Sequence, residues 1–424
     1  MKREREKADV CEQGRRMYIW EAALEYLISI LVAGSYLATL TRELGISDSL
    51  TGILSSVISL GCLFQLLSIT YRRKQVKSMV IAASVVNQLL FMLLYVIPLS
   101  NAGKQMKIVL FVITIFLAYL IYNFAHPKKI NWLMSLVEDG HRGSFTASKE
   151  MVSLVVGMIF SFVMGTVIDH FSERGEVRTA FILTAVVIFI LMLLHTLTMV
   201  LTAEKPMPEE QEKKLLKNIA EVIRNKNVLR VTVIFILYHI AIGASHPFYG
   251  TYQIGELGFG LQFVSLLSII SSIVRIIVSK FWGYYADKKS FAAMMEKCFA
   301  VLALSMLSVV FAVPANGNVM FVLYYIFNGI ALGGINSALT NLIFDYVQPQ
   351  QRADSLAICQ AFSGLAGFLT TLAVSALVSR IQGNGNYVLG IPIYAQQLIS
   401  LIGVGCIVIA LIYIRLVIMR KCED

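Results

Sequence analysis

Twelve long runs of apolar residues divide this chain, and most continue for about twenty residues without a polar alternation. Apolar residues make up 57% of the sequence and charged residues only 15%, whereas soluble domains carry about 25% charge. In lipid, only α-helices and closed barrels satisfy their own backbone hydrogen bonds. A barrel strand would alternate apolar and polar residues over about ten positions. The runs therefore predict an all-α polytopic membrane protein.

Each run is long enough to cross a hydrocarbon core of about 30 Å as a helix. The fourth ends either at residue 130 or, if the internal repeat described below is followed, at residue 137. The basic residues before the first run, together with its length, differ from a signal peptide, so we expect this span to be retained. The predicted spans are 17–40, 49–70, 78–99, 108–130, 150–170, 179–201, 229–250, 263–285, 292–313, 319–345, 354–380 and 393–418.

The distribution of lysine and arginine predicts the orientation. With the N-terminus in the cytoplasm, 29 of the 36 basic residues lie inside, six lie outside, and Arg275 lies within a span. We therefore expect an inner-membrane protein with both termini cytoplasmic. The net charge of +10 reflects this orientation, and no nucleic-acid partner is expected. The six cysteines are scattered without CxxC spacing, so no metal, cofactor or disulfide framework is expected.

One polar stretch bisects the chain, and the two halves carry a short repeat. Residues 209–224 combine charge with spaced apolar residues, which predicts an amphipathic helix at the cytoplasmic interface. Val137–Ala147 and Val347–Ala357 share Val, Arg and Ala at a spacing of 210 residues, each between the fourth and fifth span of its half. The predicted organisation is a tail (1–16), a six-helix bundle (17–201), a linker (202–228), a second six-helix bundle (229–418) and a tail (419–424).

The segment after the eighth span, Gly283-Tyr-Tyr-Ala-Asp287-Lys288, resembles the G-x-x-x-D-[RK] motif of the major facilitator superfamily. The resemblance implies that fold: twelve transmembrane helices in two pseudo-symmetric six-helix bundles. In the family, the glycine allows close helix approach, and the aspartate caps the next helix and pairs with a basic residue of the opposite half. This implies a cytoplasmic gate in which Asp287 pairs with Arg142, the repeat partner of Arg352. The first-half copy at 70–74 lacks the aspartate, so a symmetric pair of gates is not expected.

Ionisable residues inside a span cost several kcal/mol on insertion scales and so indicate a role. Arg275 lies near the midplane, where it would bind an anionic group of a solute or pair with a buried acid. Glu21 and Glu25 share one helix face. Glu21 is interpreted first as facing cytoplasmic water. Glu25 lies deeper and is a candidate for proton coupling, with an internal salt bridge as the alternative; first-helix acids often couple protons in the resembled family.

Two lysines follow a proline at the end of the fourth span. If the span ends at 130, Lys128 and Lys129 belong to a basic loop. If the repeat is followed, Pro127 kinks the helix and both lysines face the central cavity, which favours an anionic or zwitterionic solute. Further polar side chains within spans could bind a solute or hold helices together; they are Asn87, His239, Asn328 and Asn336.

These observations predict a secondary active transporter that moves a small solute by alternating access, coupled to a proton or another ion, with a monomer as the functional unit. One alternative is a non-transporting sensor or a scramblase on the same fold. A membrane-embedded enzyme is less well supported, because the loops are short and hold no cluster of carboxylates or histidines. The sequence has no P-loop for ATP.

Overall fold

The computed structural model describes residues 2–68, 76–137, 142–204, 225–347, 352–388 and 390–419. Within these ranges, the side chains of 2–11, 66–68, 142–144, 147, 340, 344, 345 and 352–354 are not described. The amphipathic helix predicted over 209–224 lies outside the described residues. The first seven helices are α1 (Lys2–Leu31), α2 (Gly34–Glu43), α3 (Asp48–Ser68), α4 (Lys77–Val96, followed by a 3-10 turn at Ile97–Leu99), α5 (Lys104–Met134), α6 (Arg142–Glu173) and α7 (Val177–Leu201).

The second half of the chain begins with α8, which continues through short irregular turns. These are a 3-10 turn (His246–Phe248), an α-helical turn (Tyr249–Thr251) and a π-helical turn (Tyr252–Glu256). A small antiparallel hairpin precedes the last helix and pairs Tyr387 with Pro392. The elements are α8 (Lys226–Ser245), α9 (Leu261–Lys288), α10 (Phe291–Val310), α11 (Gly317–Tyr346), α12 (Arg352–Gly383), β1 (Tyr387–Val388), β2 (Ile391–Pro392) and α13 (Ala395–Tyr413, extended by a π-helical turn at Ile414–Ile418).

Among the described residues, eleven helices are long and apolar enough to cross a membrane, and the bent pair Glu12–Leu31 and Gly34–Glu43 makes a twelfth. The chain is a multi-pass membrane protein. The prediction of one unbroken first helix over 17–40 is wrong. Gly34 has a φ of +52°, in the left-handed region that favours glycine, and the two segments meet at 40°.

The fourth span follows the longer of its two predicted endings. Helix α5 continues through Pro127 to Met134, so Lys128 and Lys129 are helical residues. A proline within a helix removes one backbone donor and disturbs the preceding turn. The segment nevertheless stays helical to Met134, although His126, Lys128 and Lys129 interrupt the apolar run; the repeat therefore predicted its continuation better than hydropathy did.

The described chain separates into two compact units. Unit 1 comprises Met1–Ile46, Phe64–Gln211 and the short segment Gly260–Ser265; unit 2 comprises Ser47–Leu63, Glu212–Phe259 and Leu266–Asp424. Within unit 1, the carboxylate of Asp169 accepts hydrogen bonds from the backbone amides of Leu261 (2.9 Å) and Gln262 (2.7 Å). Asp169 thereby supplies the N-terminal capping acceptor of α9.

Close helix contacts in unit 2 depend on small residues. A Cβ at Gly243 of α8 would collide with the carbonyl oxygen of Gly367 in α12, and one at Gly329 of α11 would lie 3.1 Å from the hydroxyl of Ser271 in α9. These glycines let backbones approach directly, as in other membrane helix pairs. A cluster of buried apolar residues also holds these helices together, with Phe299 and Met295 of α10 fully buried.

Helix α10 begins at a serine. The hydroxyl of Ser290 accepts a hydrogen bond from the backbone amide of Ala293 at 3.1 Å, which is the usual N-cap geometry. The capping role that the family resemblance implied for Asp287 is therefore wrong in this structure. Asp287 lies in the last turn of α9, three residues too early to cap α10.

Candidate functional site

A group of ionisable side chains lies inside unit 1, between four of its helices. Glu21 and Glu25 are four residues apart, so α1 presents both on one face. Helix α5 brings Lys129 against that face. Its Nζ donates a hydrogen bond to Oε1 of Glu21 at 2.8 Å and a second one to Oε2 of Glu25. The Glu21 and Lys129 side chains are only 1% and 5% exposed, whereas that of Glu25 is 21% exposed.

A histidine on α7 completes the group. Nε2 of His195 lies 3.1 Å from Oε1 of Glu21 and 4.0 Å from Oε2 of Glu25. Its other ring nitrogen, Nδ1, lies 3.0 Å from Nε2 of Gln88 on α4. Because the Gln88 amide nitrogen can only donate, it assigns Nδ1 as the acceptor, and Nε2 then carries the hydrogen that Glu21 accepts. We call Glu21, Glu25, Lys129 and His195 the charged cluster.

The charge balance of the charged cluster depends on His195. Two carboxylates face one ammonium group, and His195 adds a positive charge only when it is protonated. Lys129 alone therefore does not balance both acids, in a region where unbalanced charge is costly. A proton or another cation that reaches Glu25 would balance the remaining charge.

The same acids and histidine resemble a metal-ligand set, but a lysine lies between the two acids. The ligand atoms of Glu21, Glu25 and His195 lie within 4.8 Å of one another, a donor set that suits divalent transition metals. The ammonium group of Lys129, however, contacts both carboxylates. The chain therefore already places one of its own cations where a metal would be held.

An apolar layer closes the charged cluster on one side. It is displaced by about one helical turn along α1, α5 and α7 and is defined by Tyr18, Val76, Val80, Trp132, Leu133 and Met199. The start of the linker is fixed to this layer. Trp132 donates from Nε1 to the carbonyl of Ala203 at 3.0 Å, and the Glu204 carboxylate accepts from the amide of Lys77 at 2.9 Å. Water therefore has no open route to Glu21 through these residues.

A narrow cleft opens on the Glu25 side of the charged cluster. The centre of a water molecule can move through about 10 Å³ of it, which is about the room that one water needs. Two polar atoms beside the cleft have no hydrogen-bond partner among the described residues: Oε1 of Gln88 and Nδ1 of His126. The lining residues are Glu25, Ala83, Ser84, Asn87, Gln88, Tyr122, Ala125, His126 and Lys129.

The charged cluster changes several sequence-based interpretations. Glu21 does not face water; it is fully buried and paired. For Glu25, the internal salt bridge is present, and its coupling role stays a prediction. Lys128 and Lys129 are buried helical residues, so the loop interpretation is wrong. Glu21 and Glu25, which belong to the same unit, neutralise the charge of Lys129. Lys129 therefore does not make the cavity basic.

Sequence reasoning missed His195. It is an ionisable residue in the apolar run of the sixth span and is completely buried. The rule that intramembrane ionisable residues indicate a role applies to it as it did to Arg275. Its pairing with Glu21, which is 174 residues away, carries no sequence signal.

The four uncharged polar residues that the sequence offered as candidates for solute binding lie in different environments. Asn87 donates to the carbonyl of Ala118 at 2.8 Å, which links α4 to α5. His239 bonds to the carbonyl of Phe235 in its own helix at 2.9 Å. Asn328 is buried, and its Oδ1 has no hydrogen-bond partner among the described residues. Asn336 is exposed on α11. In unit 1 only Asn87 adjoins the charged cluster.

Arg275 lies on α9 and is half-buried. Within the described part of the chain it makes no salt bridge, and it lies close enough to Tyr238 to interact with it electrostatically. The alternative role predicted for Arg275, pairing with a buried acid, is therefore not seen among the described residues. Tyr238 itself stacks on Phe299 with ring centroids 5.7 Å apart.

The motif residues after the eighth span are exposed. A Cβ at Gly283 would meet no other atom within 4 Å, so the close approach implied by the family motif is not seen at this glycine. The ammonium group of Lys288 lies 4.4 Å from the centroid of the Tyr284 ring. Arg142 and Arg352 are the first residues of α6 and α12, and their side chains lie outside the described set. The pairing of Asp287 with Arg142 stays a prediction.

Comparison with known proteins gives the family. The sequence matches the family model of the Major Facilitator Superfamily over residues 22–371 and 231–418. A search of curated protein sequences found no significant match. Solved structures with the same fold include a mutant of the nucleoside transporter NupG (TM-score 0.72, 15% identity, covering 95% of this chain and 99% of that one).

Two further structures agree with this fold. They are PepTSo, a POT family transporter (TM-score 0.71, 12% identity, covering 97% of this chain and 99% of that one), and a D-xylose-proton symporter (TM-score 0.69, 13% identity, covering 95% and 97%). At such low identity these likenesses establish the fold alone. Together with the match of the family model to most of the sequence, the two bundles of membrane helices lead to one conclusion: this chain belongs to the major facilitator superfamily.

Proposed function

We propose that the chain is a secondary active transporter that moves a small solute across the membrane and couples this movement to a proton. The observation that carries the proposal is the charged cluster, in which the buried Glu21 and the partly exposed Glu25 share one lysine. A simple salt bridge consists of one acid and one base, and this cluster has a second acid. The second acid leaves a negative charge that a coupling proton can neutralise.

Glu25 is the proposed coupling residue. Glu21 is held by both Lys129 and His195 and is closed off by the apolar layer, whereas Glu25 is partly exposed and lines the cleft. When Glu25 takes up a proton, the contact of its carboxylate with Lys129 weakens, and Lys129 is left with Glu21 as its main partner. Proton uptake thereby changes the contact between α1 and α5. A proton symporter with the same fold supports this kind of coupling.

The proposed solute carries an anionic group and is either an anion or a zwitterion. Arg275 is the residue that supports this, since it is a half-buried cation without a salt bridge among the described residues. Asn328 in the same unit offers an unpartnered carbonyl oxygen for a donor group of the solute. Lys129 no longer supports the argument, because Glu21 and Glu25 hold it.

The proposed location is the inner membrane, with both termini in the cytoplasm, a monomer as the working unit, and the predicted bundles at 17–201 and 229–418. The support is the division of basic residues, 29 against six. A proton site such as the charged cluster is compatible with symport, which would take the solute up, and with antiport, which would export it.

The test uses the purified full-length chain in proteoliposomes. A thermal-shift panel of organic acids, amino acids, sugars and organic cations first identifies a solute that stabilises the folded state. Flux of that solute is then measured with and without an imposed pH gradient. Accumulation that follows the gradient supports the proposal. Flux of lipid alone would instead indicate a scramblase, and binding without any flux would indicate a sensor.

A further inference from the structure

The charged cluster is open on one side and closed on the other, and this asymmetry bears on how a proton reaches it. The apolar layer that contains Tyr18 and Trp132 covers Glu21, and both of these aromatic residues are completely buried or nearly so. On the other side, the cleft reaches Glu25. A proton that enters from water must therefore arrive through the cleft.

Gln88 is the residue in the cleft whose bonding is incomplete. Its side-chain nitrogen is used by His195, but its carbonyl oxygen, in a residue that is only 2% exposed, has no partner among the described residues. A buried carbonyl oxygen left without a donor costs about 1–3 kcal/mol. The cleft beside it has room for about one water molecule, and a water is stable where it finds two or more polar partners.

We propose that the cleft binds one water molecule, which donates hydrogen bonds to the carbonyl oxygen of Gln88 and to the carboxylate of Glu25, and that protons enter the charged cluster through this water. The inference rests on the proposed coupling role of Glu25. In the transfer step, a hydronium in the cleft gives one proton to the Glu25 carboxylate and remains as neutral water. Gln88 is a positioning residue, because it holds the water and does not itself take the proton.

The charges that surround Glu25 are compatible with this route. Among the described residues, the titratable or charged groups in and beside the charged cluster, the cleft and the apolar layer are Tyr18, Glu21, Tyr122, His126, Lys128, Lys129, Lys149 and His195. Lys149 lies on α6 over the ring of Tyr18 at 5.1 Å, on the closed side. His126 and Lys129 both line the cleft; the ammonium group of Lys129 contacts Glu21 and Glu25, whose carboxylates offset its repulsion of a hydronium.

The test follows the carboxylic acid band of Glu25 by infrared spectroscopy of the reconstituted protein at a pH where the residue is protonated. The band is identified by its loss in Glu25→Gln. After a change from H₂O to D₂O, the rate at which the band shifts reports proton access and requires no transport. We expect Gln88→Leu to slow this shift by an order of magnitude or more. Thr184→Val is the control, because Thr184 is fully buried on α7, bonds to the carbonyl of Ala180 at 2.8 Å and lies outside the cleft and the charged cluster; it should exchange at nearly the wild-type rate.

The outcomes separate the two proposals. If the Glu25 band is present and Gln88→Leu exchanges as fast as the wild type, or if both variants slow equally, the water route is wrong while proton coupling at Glu25 stands. If no band disappears in Glu25→Gln, the residue holds no proton, and both proposals fail.

A second measurement covers the case in which Gln88→Leu does not fold. Ser84 and Val80 lie four residues apart on α4, the first at the cleft and the second in the apolar layer. With the six native cysteines replaced, Ser84→Cys should react with a small water-soluble methanethiosulfonate, and Val80→Cys should not. Equal reactivity at the two positions would overturn one-sided access.

Discussion

Lys129 and Glu21, which are 108 residues apart in the sequence, form a salt bridge of 2.8 Å inside unit 1, with side chains that are 5% and 1% exposed. The bridge joins α1 to α5. Because Glu25 contacts the same ammonium group, the lysine serves two acids at once. Loss of Lys129 should therefore destabilise the folded protein far more than loss of a surface lysine.

Replacing Lys129 by Met should destabilise the folded protein by about 3–5 kcal/mol, since breaking one side of a buried ion pair leaves uncompensated charge. The measurement is thermal unfolding in detergent. Arg16→Met is the matched control, because Arg16 pairs with Glu12 on α1 at 2.7 Å but both side chains are largely exposed; such a pair contributes about 0–1 kcal/mol. Equal losses in the two variants would contradict a buried bridge. Adding Glu21→Gln and Glu25→Gln to Lys129→Met should recover much of the stability.

Replacing Glu25 by Gln should abolish solute accumulation driven by a pH gradient and leave solute exchange at equal concentrations measurable. The fold should persist, because Glu21 and Lys129 then form a balanced pair. Glu21→Gln is the informative comparison: it removes the negative charge that both Lys129 and His195 contact, so we expect a lower unfolding temperature as well as lost transport. Uphill accumulation by Glu25→Gln in proteoliposomes would refute the coupling role.

Replacing Arg275 by Ala should weaken binding of the transported solute by about tenfold or more, as expected when a charge-assisted hydrogen bond worth about 1.5–3 kcal/mol is removed. Arg275→Lys keeps the charge and should retain part of the affinity. The measurement is the concentration of solute needed for half of the thermal shift. An affinity unchanged in Arg275→Ala would assign this residue to folding alone.

Replacing Gly243 by Ala should lower stability, because the new Cβ would collide with the backbone carbonyl of Gly367 on α12. Overpacking of this kind typically costs about 1–3 kcal/mol. Gly405→Ala on α13 is the control: a Cβ there meets nothing within 4 Å, and alanine is favoured over glycine in a helix by roughly 0.5–1 kcal/mol. The prediction fails if both variants unfold at the wild-type temperature.

Much of the architecture was predictable from the sequence, because long apolar runs have few ways to satisfy their backbone in lipid. The spans, their number and the continuation of α5 through Pro127 follow from hydropathy and the repeat. The break between α1 and α2 does not, since Gly34 lies in a run that stays apolar. The left-handed φ of this exposed glycine leaves no mark in the hydropathy of the run.

The candidate site was predictable in its parts but not in its pairing. Glu21, Glu25 and Lys129 each attract attention as ionisable residues within or beside a span. Which helix faces which is decided by packing across more than 100 residues of chain, so the sequence offered no reason to join Glu21 to Lys129 or to His195. For the same reason, the sequence could not show that the charge of Lys129, which together with Lys128 suggested a basic cavity, is neutralised by Glu21 and Glu25.

The proline in α5 precedes Lys129 by only two residues. Pro127 has no amide hydrogen, so the carbonyl of Asn123, one turn earlier, lacks the donor that would continue the helical ladder. This turn is held by one backbone bond fewer than its neighbours, and bending there costs less than elsewhere in the helix. The segment that carries Lys129 and Trp132 can therefore tilt as a short lever about residue 127. In such a tilt the lysine would alter its reach to Glu21 and Glu25 while the rest of α5 stays in place.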